Sequence, residues 1–393
     1  MKEYTKAKEV IESLRTIPDY RVDIGKIKHP LAEVLFMVIF ALLKGNTKFK
    51  EIYGWMVYNK ENPILKKIFG KEQIDMPSKS TLHRILTNTD NNELEKVFRK
   101  HFSKYVKKEN IAIDGKWLNG SDVNGQYTNE CHKSILNILD KDKKIVFAHK
   151  FMAKNKENEI TALKQAFDED DLFSDEGQIF SFDAIQTQTK ILNKINSKKD
   201  KYIARVKNNQ KGLKQKVIEN IETYKNPIDS YFFEDTQLSC GKKYVKREVE
   251  IFYNPSINIA MYDENFDNIQ TLIRVNKTLT DPKTDKQTFY SEYLIANFRT
   301  TAEDFYNKII SHWRVETYHY YLDVLMDEDE HIAYKEPYSI AILRSFALNL
   351  FQIYNNNNKG KKLPTGDVNM AEIKRTCKYD DIFTSKLFEQ EYV

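Results

Sequence analysis

The sequence predicts an α/β protein: a mixed β-sheet flanked by helices, with an all-helical domain before it and a β-rich insertion within it. Two observations predict this class. Up to about residue 109 apolar residues recur at helical spacing, and from residue 110 strand-like and helical runs follow in the order β-β-β-α-β-α-β. Strand-like segments separated by Asn, Pro, Asp and Lys turns then follow before helix returns. The predicted domains are an all-helical domain (1–109), the first part of the core (110–210), the insertion (211–300), the core helices (301–355) and a C-terminal tail (356–393).

Composition predicts a globular protein without a membrane partner. Hydrophobic residues are 41% and charged residues 30% of 393, which is typical of chains that bury a core. The longest apolar run, Val34 to Leu43, is shorter than the roughly 20 residues of a membrane helix and begins too late for a signal peptide. It predicts a core helix. Cys131, Cys240 and Cys377 are not at metal-ligand spacing, which favours a reducing cytoplasm without disulfides or zinc.

Charge is distributed unevenly along the chain. The net charge is +5, but residues 1–110 hold 22 Lys and Arg against 14 Asp and Glu, so the remainder is slightly acidic. A basic front suggests a polyanion partner, most simply nucleic acid, although a solvated lysine-rich surface explains the charge equally well. A short predicted helix with Ser80, His83 and Arg84 has the same ambiguity, since it could enter a DNA groove or only pack.

The strand order after residue 110 predicts which strands are neighbours. Three strands, "IAIDG", "CHKSILNILD" and "KIVFAHKFMA", form a meander, and right-handed crossovers through two helices add "QIFSFDA" and "KYIARVKNN". The expected result is a five-stranded mixed sheet in which the first and fourth strands lie side by side. This is the strand order of a ribonuclease H-like domain.

Carboxylates at strand ends indicate a metal site. Asp114 and Asp183 each end an apolar run, and adjacent first and fourth strands would bring them together across 69 residues of sequence. Two close carboxylates repel each other unless a divalent cation, most naturally Mg²⁺, lies between them. A single strand-end Asp is more often a turn cap. The pair is the stronger signal.

A third carboxylate is expected from a helix after the sheet, and Glu316 is the best candidate. It lies in "SHWRVETYHYYLDV", where His312, Glu316, His319 and Asp323 fall on one helical face. Because polar stripes usually face water, the stripe alone leaves this assignment open.

Several motifs together resemble a known family. "IAIDGK", "SFDAIQTQ", "YIARVKNNQ" and "HWRVETYHYYLDV", followed by "AILRSFALNLFQ", are similar to DDE-class transposases of the H-repeat-associated subgroup of bacterial insertion sequences. The helical segments before residue 110, such as "PSKSTLHRIL", resemble the domain that precedes the catalytic domain there. The resemblance covers roughly residues 15 to 355.

The resemblance implies that Asp114, Asp183 and Glu316 hold two divalent ions, Mg²⁺ or Mn²⁺, in a ribonuclease H-like core. The implied activity is phosphodiester hydrolysis and strand transfer at the ends of an insertion sequence. The implied partners are double-stranded DNA, as terminal inverted repeats and target, and a second copy of the chain on paired ends. The protein would then associate with the nucleoid.

The resemblance also implies DNA-binding residues. Lys207 and Gln210 match the motif after the fifth predicted strand, Arg247, Arg274 and Arg314 lie in matching segments, and His312 precedes the third acid. Guanidinium and ammonium groups suit backbone phosphates. Wider relatives with such an insertion often carry Tyr, Arg and Lys around the third acid, whereas His312 and Asp323 stand here. Their phosphate contacts therefore do not transfer.

Three other classes of protein are alternatives to a transposase. A transposase-derived DNA-binding protein without catalysis would not need three carboxylates, and a structure-specific nuclease on the same fold would use the same metals without strand transfer. A di-iron protein is suggested by the Glu-x-x-His spacing of "ETYH", but this motif occurs once and the chain is not a four-helix bundle.

Overall fold

The structure is a computed structural model of the whole chain. It describes residues 3–21, 25, 27–118, 133–152, 157–169, 172–173, 176–224, 226–239, 243–253, 268–329 and 337–391. Cys131 and Cys240 lie outside these residues, as does the predicted start of the second strand.

The described residues form an α/β fold with a large mixed sheet. The helices are α1 (Thr5–Leu14), α2 (Leu31–Leu43), α3 (Phe49–Tyr58), α4 (Pro63–Phe69), α5 (Lys79–Asn88), α6 (Asn91–Phe102), α7 (Glu157–Asp168), α8 (Thr189–Ser197), α9 (Lys211–Tyr224), α10 (Ala302–Met326), α11 (Tyr338–Asn357), α12 (Met370–Tyr379) and α13 (Asp381–Lys386). The strands are β1 (Asn110–Trp117), β2 (Ser134–Asp140), β3 (Ile145–Met152), β4 (Ile179–Phe182), β5 (Lys201–Val206), β6 (Asp229–Ser239), β7 (Lys243–Tyr253), β8 (Thr271–Thr280), β9 (Gln287–Ala296), β10 (Lys362–Leu363) and β11 (Gly366–Asp367).

The chain divides into two compact units that interleave in sequence. The first unit comprises Met1–Lys107, Gly115–Asn158 and Val315–Val393, and the second comprises Lys108–Asp114 and Glu159–Arg314. Strand β1 and helix α10 each contribute residues to both units.

Helix α2 is the centre of the first unit. All of its residues are buried, because twelve of the thirteen are apolar and the charged one, Glu33, pairs with Lys71 at 2.6 Å. The predicted core helix is therefore confirmed. No described helix combines the length and the apolar character that crossing a membrane requires.

The C-terminal segment, which the sequence analysis assigned as a tail, forms part of the first unit. It contains α12 and α13, and Phe388 is fully buried with its ring centre 4.9 Å from that of Phe36 and 6.3 Å from that of Phe40. Short helices carry too few turns for a clear apolar periodicity, so the sequence pattern did not reveal them.

Helix α5 exposes two of the residues considered for DNA contact. Ser78 caps its first turn, and Ser80 and Arg84 are exposed. The His83 ring is half-buried and lies edge-on against Phe49, with ring centres 5.7 Å apart. This geometry is compatible with packing and with groove contact.

The sheet of the second unit extends further than predicted. The predicted neighbours β1 and β4 pair in parallel, with Ile113 opposite Phe182, and β5 follows β4 in parallel. The insertion strands do not form a separate layer, because β9 pairs antiparallel with β5 and the order continues β9-β8-β7-β6. Since β1 also adjoins the β2–β3 hairpin, the strand order is β3-β2-β1-β4-β5-β9-β8-β7-β6.

The predicted five-stranded sheet thus corresponds to one end of a nine-stranded sheet. The physical reason is that β5 would otherwise present an unpaired edge, and β9 satisfies its backbone hydrogen bonds.

The first half of α10 covers one face of this sheet. Phe305, Tyr306 and Ile309 pack against a cluster of buried strand residues that includes Ile203, Val249, Ile251, Ile273, Leu294 and Ala296. The strand residues alternate in sequence, as expected for side chains that share one face. We call this the α10 face.

Candidate active site

Asp114 and Asp183 follow paired residues on neighbouring parallel strands. Ile113 and Phe182 are register partners, so the next residue along each strand is an aspartate. Register partners in parallel strands point to the same face, and adjacent strands are about 4.8 Å apart. Both side chains are half-buried. The two carboxylates therefore occupy matching positions where β1 and β4 approach their carboxyl ends.

Register places both aspartates on the α10 face of the sheet. Ser181, two residues before Asp183, pairs with Ile203, which belongs to the cluster under α10. Because alternate residues of a strand share a face, Asp183 and its neighbour Asp114 point to the side that α10 covers. The first half of α10, which belongs to the same unit as both aspartates, covers this face.

A cation already contacts Asp183. The ammonium of Lys207 is 2.7 Å from its Oδ1, and both residues line a cavity of about 460 Å³ together with Arg205 and Glu292. Partial burial raises the pKa of Asp183, but the hydrogen bonds from Lys207 and from the Ala184 backbone N–H, with the charge of Arg205, hold it below its usual value. The carboxyl is therefore ionised at neutral pH.

The segment after β5 is tied to the loop that follows Asp183. The amide of Asn209 donates to the Ala184 carbonyl oxygen at 3.0 Å, and the amide of Gln210 donates to the carbonyl oxygen of Thr187. The Thr187 hydroxyl in turn donates to the Arg205 carbonyl oxygen at 2.8 Å. These bonds hold Lys207 and Gln210 beside the loop, although Gln210 uses its amide within the protein.

His312 connects α10 to β4. Its Nδ1 is 3.0 Å from Ser181 Oγ, and His312 and Ser181 are 5% and 3% exposed. Trp313, the next residue, lies under two cations: the Arg247 guanidinium is 5.0 Å and the Lys277 ammonium 5.7 Å from its ring centre.

Glu316 lies one helical turn after His312 on α10, in the part of the helix that belongs to the first unit, and it is exposed. Within the described ranges, no three His, Cys, Asp or Glu side chains converge closely enough to hold a metal ion. The structure thus brings Asp114 and Asp183 together but assigns no complete metal site.

The other residues of the predicted polar stripe contact protein rather than face water. His319 Nε2 is 2.8 Å from the Asn137 amide nitrogen. Asp323 accepts a hydrogen bond from the buried Lys116 ammonium at 2.6 Å, and Lys116 also lies 3.3 Å from Asp329. Burial raises the pKa of Asp323, and Lys116 opposes that shift.

Two of the arginines predicted to bind DNA have protein partners. Arg274 donates two hydrogen bonds to the Glu250 carboxylate, at 2.6 and 2.9 Å. Arg247 is 8% exposed, and its guanidinium lies over the Trp313 ring. Arg314 is half-buried. Ser181, Trp313 and Lys277 were not among the predicted site residues, because their positions depend on the register of β7 with β8 and on the docking of α10.

Comparisons with known proteins agree with the sequence analysis. Residues 11–102 match the family model described as DDE_Tnp_1-associated. YncI of Escherichia coli O157:H7, a proposed transposase, is 27% identical over 81% of this chain and 80% of its own length. YhhI of Escherichia coli strain K12, a proposed H repeat-associated transposase, is 24% identical over 82% of this chain and 84% of its own length.

Among solved structures, a cryo-EM structure of the piggyBac transposase synaptic complex with hairpin DNA covers 99% of this chain and 81% of that chain. It has 12% sequence identity and a TM-score of 0.47, a likeness too distant to support an argument. The matches to the family model and to the curated relatives confirm that the chain resembles transposases of the DDE class. Within that class, the resemblance is to the H-repeat-associated transposases.

Proposed function

We propose that this chain is a DDE transposase that hydrolyses phosphodiester bonds at the ends of an insertion sequence and joins those ends to target DNA. The main support for this proposal is the pairing of β1 with β4, which gives Asp114 and Asp183 matching positions on the α10 face. Glu316, one turn beyond His312 on α10, is proposed as the third acid. The core is proposed to be ribonuclease H-like, with β6–β9 as its insertion.

The residues fit a divalent cation. Oxygen ligands from carboxylates suit Mg²⁺, and the contact between Lys207 and Asp183 supports the fit because this carboxylate already attracts a positive charge. Asp114, Asp183 and Glu316 would hold Mg²⁺ or Mn²⁺, and two ions are proposed. When bound, such ions supply charge neutralisation at the phosphoryl group and a lowered pKa for water.

The chain's own side chains would hold DNA beside the acids. Lys207 is half-exposed at the cavity rim, where its ammonium could exchange Asp183 for a backbone phosphate. Gln210, Arg247, Arg274 and Arg314 are the other proposed DNA contacts, whereas His312, which the resemblance also implied, is buried against Ser181. For Arg274, a phosphate would have to compete with the bidentate Glu250 pair.

The proposed partners follow from the proposed reaction. Cutting both ends of a mobile element and joining them to a target requires double-stranded DNA with terminal inverted repeats. Two such ends are most simply held by two copies of the chain, and the chromosomal substrate would place the protein at the nucleoid.

A cleavage assay tests this proposal. Asp114→Ala, Asp183→Ala and Glu316→Ala should each reduce Mg²⁺- or Mn²⁺-dependent cleavage of end-bearing DNA by about 100- to 1000-fold, the usual loss when one charge-stabilising group is removed. DNA affinity should remain within a few-fold, because the acids do not attract phosphate. Glu303→Ala, an exposed carboxylate at the start of the same helix, is the matched control and should cleave normally.

Undiminished cleavage by any of the three variants would remove that residue from the site. Cleavage without strand-transfer products in the wild type would favour the nuclease interpretation. DNA binding without cleavage at any metal concentration would favour the non-catalytic one.

A further inference from the structure

Three elements that carry the proposed acids meet at one buried hydroxyl. Ser181 on β4 donates its proton to the Ile111 carbonyl oxygen on β1 at 3.2 Å and lies 3.0 Å from His312 Nδ1 on α10. We call Ile111, Ser181 and His312 the Ser181 hub.

The proton count assigns the direction of each bond. A hydroxyl has one proton and can also accept. Since the Ser181 proton goes to the Ile111 carbonyl, the Nδ1–H of His312 donates to Ser181 Oγ. The buried Ser181 hydroxyl thus has an acceptor for its proton and a donor to its oxygen, as a buried polar group requires.

Each hub residue is a short distance along its element from a proposed acid. Ser181 is two positions before Asp183 on its strand, about 6.6 Å of rise, and Ile111 is three positions before Asp114, about 10 Å. His312 is four positions before Glu316 on its helix, about 6 Å of rise. A shift of any element at the hub would therefore be transmitted directly to its acid.

We infer that Ser181 and His312 are positioning residues for the acids. This inference rests on the proposed function, and it gives His312 a different role from the DNA contact that the sequence resemblance implied. With 5% of its surface exposed and Nδ1 bonded inside the fold, His312 offers DNA almost no surface. Two apolar side chains could fill the same space. A hydrogen-bonded pair also fixes how α10 is oriented on β4.

The test separates positioning from packing and from DNA contact. His312→Leu keeps an apolar side chain but removes the donor, and His312→Asn retains an N–H at the same number of bonds from the backbone as Nδ1. Ser181→Ala/His312→Leu removes both partners of the Ser181–His312 bond, so neither is left facing a missing partner, and part of the thermal stability lost in the single variants should return.

We expect His312→Leu to lower single-turnover cleavage by about 10–100-fold, as for residues that orient ligands, and to weaken Mn²⁺ binding measured without DNA. The Kd for DNA should stay within twofold at fixed salt. His312→Asn should restore most of both properties, and the double variant should regain thermal stability without regaining cleavage or Mn²⁺ affinity.

Three outcomes would overturn the inference. Recovery of cleavage together with stability in the double variant would show that the hub only packs. A weaker DNA Kd with normal cleavage of bound DNA would make His312 a DNA contact. Unchanged Mn²⁺ affinity and cleavage in His312→Leu would remove the hub from the site.

The Glu316→Ala variant distinguishes failure of the proposed third acid from failure of the Ser181 hub. If that variant cleaves normally, the proposed third acid is wrong, whereas an inactive Glu316→Ala beside a fully active His312→Leu refutes only the hub. The Mn²⁺ binding measurement keeps the hub testable even if the protein does not cleave DNA.

Discussion

At the scale of single residues, charge is placed where the fold can satisfy it. Asp183 ends a buried strand, and its carboxylate is offset by Lys207 and a backbone N–H. Lys116 is buried on β1, and its ammonium is surrounded by Asp323, Asp329 and Glu328. Burial raises the pKa of Glu328 to about 7, although the positive charges of Lys116 and Arg344 act to lower it. Buried charges are tolerated only with such partners.

His149 on β3 is a buried titratable group without such a partner in the described part of the chain, and it yields a pH prediction. It is 1% exposed, its ring centre is 4.4 Å from that of Phe98, and neither ring nitrogen has a hydrogen-bond partner among the described residues. Burial lowers its pKa from 6.5 to about 3. Because the folded state resists protonation that the unfolded state accepts, stability is lost as pH falls below 6.5 and continues to be lost towards 3.

His149→Phe should remove the part of the acid sensitivity that His149 causes, whereas the part from His101, whose pKa burial also lowers to about 3, remains. At pH 5 the wild type should lose about 2 kcal/mol of unfolding free energy relative to pH 8 through this residue, and the variant should not. Urea unfolding at both pH values measures the difference. His83→Phe, at a half-buried histidine, is the control, and equal pH dependence in His149→Phe and wild type would contradict the prediction.

At the scale of elements, helix α2 and the C-terminal segment depend on each other. Phe36 and Phe40 of α2 stack on Phe388, and Lys44 at the end of α2 pairs with Asp381 of α13 at 2.5 Å. A fully apolar helix needs cover on every side. The last residues of the chain supply part of that cover.

Phe388→Ala should therefore destabilise the first unit by about 3–5 kcal/mol, the usual cost of a buried aromatic ring replaced by a cavity. Denaturant unfolding followed by fluorescence measures this. Tyr379→Ala, at a side chain 79% exposed, should change stability by less than about 0.5 kcal/mol. Similar values for both variants would show that the C-terminal segment does not cover α2.

At the scale of the whole molecule, charge predicts how DNA binding responds to salt. The excess of basic residues lies in the first 110 residues, and the proposed phosphate contacts lie in the second unit. Each phosphate neutralised contributes about −0.9 to the slope of log K against log salt. The four cationic residues among the proposed contacts are Lys207, Arg247, Arg274 and Arg314. Four neutralised phosphates predict a loss of roughly 100-fold in affinity between about 50 and about 200 mM salt.

Fluorescence anisotropy over a salt series measures this slope. Lys207→Ala should reduce the magnitude of the slope by about 0.9, the contribution of one phosphate contact. Lys199→Ala, at an exposed lysine paired with Glu176, should leave the slope unchanged. A slope near zero would exclude a phosphate-binding surface.

The sequence by itself predicted most of the elements and the pairing of β1 with β4, but it did not predict α9, α12 or α13. Apolar periodicity is local, and right-handed crossovers leave few arrangements of a β-β-β-α-β-α-β run. Asp114 and Asp183 could therefore be paired in advance, and α2 could be recognised as a core helix.

Only the tertiary structure decided what distant segments do for one another. The joining of β9 to β5, the packing of Phe388 on α2, the Arg274–Glu250 pair and the Ser181 hub all bring together residues far apart in sequence. Hydrogen bonding at the sheet edge, burial of apolar side chains and pairing of charges determine which of many chemically equivalent residues become partners. A local sequence pattern contains no information about these distant contacts.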